Sequence, residues 1–225
     1  MRNSGQLFIV AVPIGNPKDI TLRALETLRL VDAIICEEER AGSTLLKRIG
    51  VREKELILLN EHNEQEQTPE IVRLLTQEGC RFALISDCGT PIFADPGHAL
   101  VQQAANLEIP IIPIPGPSSL TAALSVLDTR VDKFIFAGFL HRERNKRQKE
   151  LYHLRNSRMP VIIMDTPYRM GVLLDDVIHV FGKRQRITLA CDLTLPGEEI
   201  LRDTAAKVRT LVGKRKAEFV LIIHL

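Results

Sequence analysis

The densest chemistry in the chain lies in twelve residues, Ser86-Asp87-Cys88-Gly89-Thr90-Pro91-Ile92-Phe93-Ala94-Asp95-Pro96-Gly97. They hold two carboxylates, two hydroxyls, two prolines and two glycines. Gly89 and Gly97 permit positive φ or close backbone approach, while Pro91 and Pro96 restrict the loop and lower the entropy lost when it orders. Such a loop holds its shape. Asp87 and Thr90 then offer a carboxylate and a hydroxyl suited to a sulfonium-bearing amino acid and its ribose, without a metal. The alternative is a tight structural turn with Asp95 near a helix start.

Two other loops stand out. Pro13-Ile14-Gly15-Asn16-Pro17-Lys18-Asp19 follows the first apolar run, with Asp19 or Thr21 available to open a helix. Only Gly15 is present where a dinucleotide-binding loop would set three glycines as GxGxxG, which argues against a Rossmann dehydrogenase and against the common glycine-rich methyltransferase loop, with an ordinary structural turn as the alternative to a ligand loop. In Pro113-Ile114-Pro115-Gly116-Pro117 the prolines fix the backbone just before Ser118 and Ser119, whose amides open a helix and suit a ligand carboxylate or ribose hydroxyl.

The elements that must position these loops are legible from period. Short β-branched runs at Leu7–Val12, Ala33–Cys36, Leu56–Leu59, Phe82–Ser86 and Ile109–Ile114 alternate with one-sided helical spacing at Thr21–Leu30, Ser43–Ile49, Pro69–Gln77 and His98–Asn106. That alternation predicts a largely parallel sheet with helices on its faces, and ligands gather at the carboxyl ends of such strands. After the proline knot, a helix at Leu120–Leu127 leads into a second, smaller α/β unit. Its strands are expected at Lys133–Phe139, Val161–Met164, Ile187–Cys191 and Glu218–Ile223, with helices near Lys146–Leu154, Met170–Val180 and Thr204–Val212. The junction divides the chain into domains 1–117 and 118–225.

A net charge of +2 conceals an asymmetry: Met1–Pro117 carries 11 Lys+Arg against 16 Asp+Glu, and Ser118–Leu225 carries 19 against 12. A basic half suits a polyanion such as RNA, and a solvated surface would give the same count. His141–Lys149, with five Lys+Arg against one Glu, is the strongest candidate for phosphate contact, and Lys214-Arg215-Lys216 is a second. Cys36, Cys80, Cys88 and Cys191 lack CxxC spacing and read as buried free thiols. No apolar run approaches the ~18 residues that would span a bilayer, and Met1–Gly5 leads straight into a strand-like run, so a cytoplasmic protein without membrane association is expected.

The strings VPIGNPKDITLRALETL (Val12–Leu28), SDCGTPIFADPG and IPGPSSLTAAL, in this order, resemble the three main signatures of the ribosomal RNA small subunit methyltransferase I branch of the tetrapyrrole methylase superfamily. EHNE (Glu61–Glu64), FIFAGFLHR (Phe134–Arg142), MDTPYR and ACDLT extend the resemblance over nearly the whole chain. The resemblance implies two α/β domains with S-adenosylmethionine in the cleft between them, a homodimer, and methyl transfer to a cytidine ribose 2′-oxygen of small-subunit ribosomal RNA. Matched residue by residue, it implies Pro13, Asp87, Thr90, Ser118, Ser119 and Met164 beside the cofactor, with Gly89 and Gly116 allowing backbone contact. Glu38, His62, Tyr168 and Asp192 are the candidates for accepting the proton of a ribose hydroxyl, and no metal is required. Arg40, Arg142, Arg144, Lys146, Arg147 and Arg169 are the candidates for holding RNA phosphates.

The chain departs from the family in three places. Glu37-Glu38-Glu39-Arg40 stands for the usual Glu-Asp-Thr-Arg, Thr166-Pro167-Tyr168-Arg169 for Ser-Pro-His-Arg, and Cys191-Asp192-Leu193-Thr194-Leu195 for Arg-Glu-Leu-Thr-Lys. Typical members also continue beyond the position of Leu225. These departures bear on substrate more than on cofactor. They keep open a same-fold methyltransferase of a small molecule such as a tetrapyrrole, and a non-catalytic RNA-binding module.

Overall fold

The computed structural model describes residues 5–92 and 95–225; Met1–Ser4, and Phe93 and Ala94 of the Ser86–Gly97 loop, lie outside them. The chain forms two compact units, Met1–Ser118 and Ser119–Leu225.

In the first unit, β1 (Gln6–Val10), β2 (Ala33–Cys36), β3 (Glu55–Leu58), β4 (Arg81–Leu84) and β5 (Ile111–Ile114) form one sheet in the order β3-β2-β4-β1-β5. Every pairing is parallel, with Leu7 beside both Phe82 and Ile111. The strands carry apolar residues at nearly every position because both faces are covered. Ile34, Cys36, Ala83 and Ile85 pack on one face with Ala24 and Leu28 of α1 (Leu22–Leu30) and Leu46 of α2 (Glu39–Arg48). Ala33, Ile35, Phe82 and Leu84 point the other way, onto Ile71 of α3 (Glu64–Arg73) and Leu100 and Ala104 of α4 (His98–Asn106).

Two helices begin earlier than the apolar spacing predicts. α2 starts at Glu39 rather than Ser43, where an acidic first turn complements the helix dipole. α3 starts at Glu64 rather than Pro69 and runs on into a π-helical turn at Leu74–Glu78, with Pro69 inside it. Thr21, of the two residues expected to open α1, does so: its hydroxyl accepts from the Ala24 amide at 3.1 Å.

The second unit contains α5 (Ser119–Ser125), β6 (Ile135–Gly138), α6 (Arg144–Asn156), β7 (Val161–Asp165), α7 (Met170–Phe181), β8 (Arg186–Cys191), β9 (Glu199–Thr204), α8 (Ala205–Val212) and β10 (Phe219–Ile223). Its sheet runs β6-β7-β10-β8-β9, with β6 and β7 parallel and the other pairs antiparallel. Period two again sorts the side chains. Ile163, Leu189 and Leu221 face the α6–α8 core, and Ile162, Ala190 and Val220 face Ala123 of α5.

β9 was not expected from sequence. It is an edge strand whose residues are all partly or fully exposed, so it lacks the apolar run that marks the others. Cys36 and Cys191 are buried free thiols as read from sequence; Cys88 is exposed, because the loop after β4 carries it out of the core. Among the described residues, no helix is long and apolar enough to cross a membrane.

Candidate active site

The chemistry-bearing loops of the first unit leave the carboxyl ends of β1, β4 and β5. β1 and β4 are neighbours, yet the helices that follow them, α1 and α4, lie on opposite faces of the sheet. A crevice opens at such a reversal, and it is where open α/β sheets bind ligands.

Three sequence strings meet there. Val12 and Gly89 exchange both backbone hydrogen bonds, at 2.8 and 3.2 Å, and the Thr90 hydroxyl donates to the Pro117 carbonyl at 3.1 Å. Gly89 has φ 76°, and a Cβ there would stand 3.3 Å from the Ile14 Cγ2. At Gly116 a Cβ would lie 3.1 Å from the Ala11 Cβ. The backbones thus approach where side chains would keep them apart. Pro13 is buried beside this junction, while Asp87 and Thr90 reach solvent.

The Asp87 loop is tied at both ends. At its start the Ser86 hydroxyl donates to the Cys88 carbonyl at 2.8 Å. At its exit a residue that sequence reasoning missed takes over. The Glu64 carboxylate accepts from the amides of Gly97 and Ala99, each at 2.9 Å, and so caps α4 from another helix. Glu64 is aimed by an asparagine pair. Asn63 Oδ1 accepts from the Asn60 amide at 2.7 Å, Asn60 Oδ1 accepts from the Asn63 amide at 3.2 Å, and Asn63 Nδ2 donates to the Leu58 carbonyl. The EHNE string carried the signal, although its histidine drew the functional reading.

The cluster is acidic. Partial burial pushes the Asp87 carboxyl above its ordinary value, and the neighbouring Glu38 carboxylate adds to the effect. Glu37 is raised by burial and then by Asp87, Asp95, Glu61 and Glu38, and Asp95 by burial and then by Asp87. Glu38 is the exposed residue that opens α2, and it makes no capping hydrogen bond. The His62 side chain is 85% exposed on the Asn60–Asn63 turn and stands 3.6 Å from Glu61. Arg40 is exposed in the first turn of α2.

In the second unit, Ser119 opens α5, and Met164 on β7 is partly buried opposite Val220. Tyr168 and Asp192 come to one edge of the sheet, because β10 starts where β7 and β8 end: Phe219 pairs with both Asp165 and Cys191. Asp192, expected as a possible base, is engaged by the segment that leads into β10. Its carboxylate takes the Arg215 guanidinium at 2.8 Å and the Glu218 amide at 3.2 Å, and its φ is 49°.

The expected phosphate contacts divide in two. Arg142 is exposed, and Lys146 is exposed and paired with Glu143 at 2.9 Å, a contact worth little in solvent. Arg147 is instead buried, 3% exposed, with its guanidinium on Asp176 at 2.6 and 2.8 Å and on the carbonyls of His141 and Arg142. Arg147 and Leu151 are four residues apart and share the buried face of α6, which takes Arg147 out of reach of a surface polyanion. Arg144 also bonds Asp176, at 3.0 Å, yet keeps 64% of its side chain in solvent. Arg169 is mostly buried, bonded to the carbonyls of Leu140 and His141 and to Asp165 at 3.2 Å.

Residues 6–209 match the model of the Tetrapyrrole (Corrin/Porphyrin) Methylases. The chain belongs to the tetrapyrrole methylase family. It is 37% identical to the ribosomal RNA small subunit methyltransferase I of Thermotoga maritima over 94% of each chain. To the Escherichia coli O157:H7 protein of the same name it is 36% identical, over 99% of this chain and 78% of that one. This tetrapyrrole methylase is therefore a methyltransferase. Its fold is that of the methyltransferase CobJ (TM-score 0.73, 15% identity, 98% of this chain and 94% of that one). A uroporphyrin-III-C-methyltransferase from Thermus thermophilus matches with TM-score 0.65 at 18% identity, over 98% and 94%.

The first-unit cluster of this tetrapyrrole methylase suits a cationic donor on its own chemistry. Asp87, Asp95, Glu37 and Glu38 act on one another electrostatically beyond these strands, and the backbones at Gly89 and Gly116 approach their neighbours too closely for an added side chain to fit without a shift. A sulfonium and an α-ammonium fit such a field, and a phosphate does not.

Proposed function

We propose that this methyltransferase carries the methyl group of S-adenosylmethionine to the 2′-oxygen of a cytidine ribose in small-subunit ribosomal RNA. The observation that carries the reading is the meeting of the three signature strings at the carboxyl ends of β1, β4 and β5. The names of the relatives that share 36–37% of its sequence support the substrate. In this reading Pro13, Asp87, Gly89, Thr90, Gly116 and Ser118 of the first unit hold the donor. S-adenosylmethionine, when bound, supplies an electrophilic methyl on a positively charged sulfur.

The residues of the chain do the rest. Asp87 balances the donor's positive charge, and the paired backbones of Val12 and Gly89 fix where its amino-acid end lies. Transfer needs the acceptor oxygen held about 3–3.5 Å from the methyl carbon and opposite the sulfur, so positioning is the main contribution. We assign the acceptor's proton to Glu38, which stands beside Asp87; removing such a base lowers turnover by about 10²–10⁴-fold. Arg40, Arg142, Arg144 and Lys146 are the assigned phosphate contacts. The reading places the enzyme in the cytoplasm as a homodimer, in keeping with the resemblance of its sequence.

The test is transfer itself. The protein is incubated with methyl-labelled S-adenosylmethionine and small ribosomal subunits from a strain that lacks it, and the label is mapped. Label on a cytidine 2′-oxygen is expected. Label confined to protein or to small molecules contradicts the RNA assignment.

A further inference from the structure

Tyr168 is the most exposed aromatic residue among those described, at 77%, in a chain with two tyrosines, eight phenylalanines and no tryptophan. Its place does not follow from packing. It lies in the 3-10 turn Pro167–Arg169 just beyond β7, and the residues around it are anchored. Arg169 donates to the carbonyls of Leu140 and His141 at 3.0 and 2.9 Å, pairs with Asp165 at 3.2 Å, and bonds through its amide to the Thr166 carbonyl. Pro167 fixes the turn from the other side. The ring is thus presented to solvent from a rigid mount.

A cation backs it. The Lys216 ammonium stands 4.6 Å from the centroid of the Tyr168 ring. The cation takes one face, and most of the remaining ring surface is open to water. Phe139, 50% exposed, follows β6 and adjoins Leu140, whose carbonyl Arg169 holds. The parallel pair β6–β7 therefore delivers two aromatic rings to the same sheet edge. Exposed cations border it at Arg142, Lys214 and Lys216.

We propose that Tyr168, backed by Lys216 and flanked by Phe139, is a stacking platform for an unpaired base of the RNA substrate. The inference rests on the RNA reading given above and adds to it the face that meets the base. An aromatic ring on a fixed turn stacks a base with little loss of conformational freedom, and a base has a π-face whatever its sequence. The surrounding Lys and Arg side chains reach the phosphates on either side of a stacked base. A platform of this kind selects single-stranded or flipped-out nucleotides over paired ones, because only an unstacked base offers its face.

The test measures the affinity of the full chain for a short single-stranded oligoribonucleotide over a range of salt, with thermal unfolding confirming each variant is folded. Tyr168→Phe should bind within about twofold of the unsubstituted protein. Tyr168→Ala should bind roughly tenfold more weakly. The slope of log affinity against log salt should be unchanged in Tyr168→Ala, which removes no charge, and shallower in Lys216→Ala. Unchanged affinity in Tyr168→Ala overturns the platform, and so does an equal loss in Tyr168→Phe, which would place the effect in the hydroxyl. If the unsubstituted protein methylates ribosomal RNA while Tyr168→Ala binds normally, the platform alone fails. If it neither binds RNA nor transfers label to it, the RNA reading falls first.

Discussion

The carboxylate of Glu64 holds the amide of Gly97 at 2.9 Å, joining the start of α3 to the exit of the Asp87 loop across 33 residues of sequence. Gly97 is suited to that role. Its φ is 118°, and a Cβ there would come within 2.8 Å of the Leu84 side chain. Removing the cap in Glu64→Ala should cost about 0.5–2 kcal/mol of stability and weaken S-adenosylmethionine binding as the loop loosens. Glu64→Gln keeps an acceptor oxygen and should stay close to the unsubstituted protein. Thermal unfolding and calorimetric titration of both variants decide between a cap and a bystander.

Gly89 sits in left-handed backbone beside Ile14 while paired to Val12. Gly89→Ala should cost about 1–2 kcal/mol of stability for the backbone conformation alone. The loss of donor affinity should be larger than that of stability, because Ile14 must shift in the loop proposed to seat the donor. Equal binding by the two proteins, measured by titration, would remove Gly89 from the site.

Arg147 and Asp176 form the buried ion pair of the second unit, with side chains 3% and 0% exposed. Removing one partner of such a pair leaves the other charge stranded, so Arg147→Ala should destabilise by about 3–5 kcal/mol. Burial pushes the Asp176 carboxyl up, but hydrogen bonds from Gln148, Arg147 and Arg144 together outweigh it and hold the group below its ordinary value. A depressed carboxylate contributes stability above its unfolded value near 3.9, and that contribution is lost as pH falls through the folded value. Denaturant unfolding followed across acidic pH should show this acid sensitivity in the unsubstituted protein and a weaker one in Arg147→Ala.

The acidic cluster of the first unit has the opposite sign. Asp87, Glu37 and Asp95 are raised first by burial, and then Asp87 by Glu38, Asp95 by Asp87, and Glu37 by Asp87, Asp95, Glu61 and Glu38, so their ionised forms oppose folding and neutralising them relieves the strain. Donor binding needs the charge that stability does not. Affinity for S-adenosylmethionine should therefore fall on acidification, beginning above the ordinary carboxylate value of about 3.9, while the stability cost of these three groups eases over the same window. Titrations at stepped pH, paired with unfolding curves, test the divergence.

The strands of the first unit were legible because both their faces are apolar, and α4 was read over its full span because Leu100 and Ala104 fall on one side of it. β9 was not, because an edge strand with Glu199, Arg202 and Asp203 among six residues shows no buried run. Asp87, Gly89 and Thr90 stood out by composition, as did the Pro113–Pro117 knot. Their meeting did not, since no local rule pairs Val12 with Gly89 or Thr90 with Pro117. Arg147 illustrates the limit most sharply. Within a run of cations it reads as a surface charge, and the residue that draws it inward, Asp176, lies 29 positions away. Glu64 acts in the same way, through partners that only the folded chain supplies.

The proposed function rests on the Asp87 loop as the seat of the methyl donor. Calorimetric titration of S-adenosylmethionine into the unsubstituted protein and into Asp87→Asn, with unfolding curves for both, tests it directly. Binding is expected in the first and at least tenfold weaker binding in the second, with the variant no less stable than its parent. Equal affinity in the two proteins would contradict it.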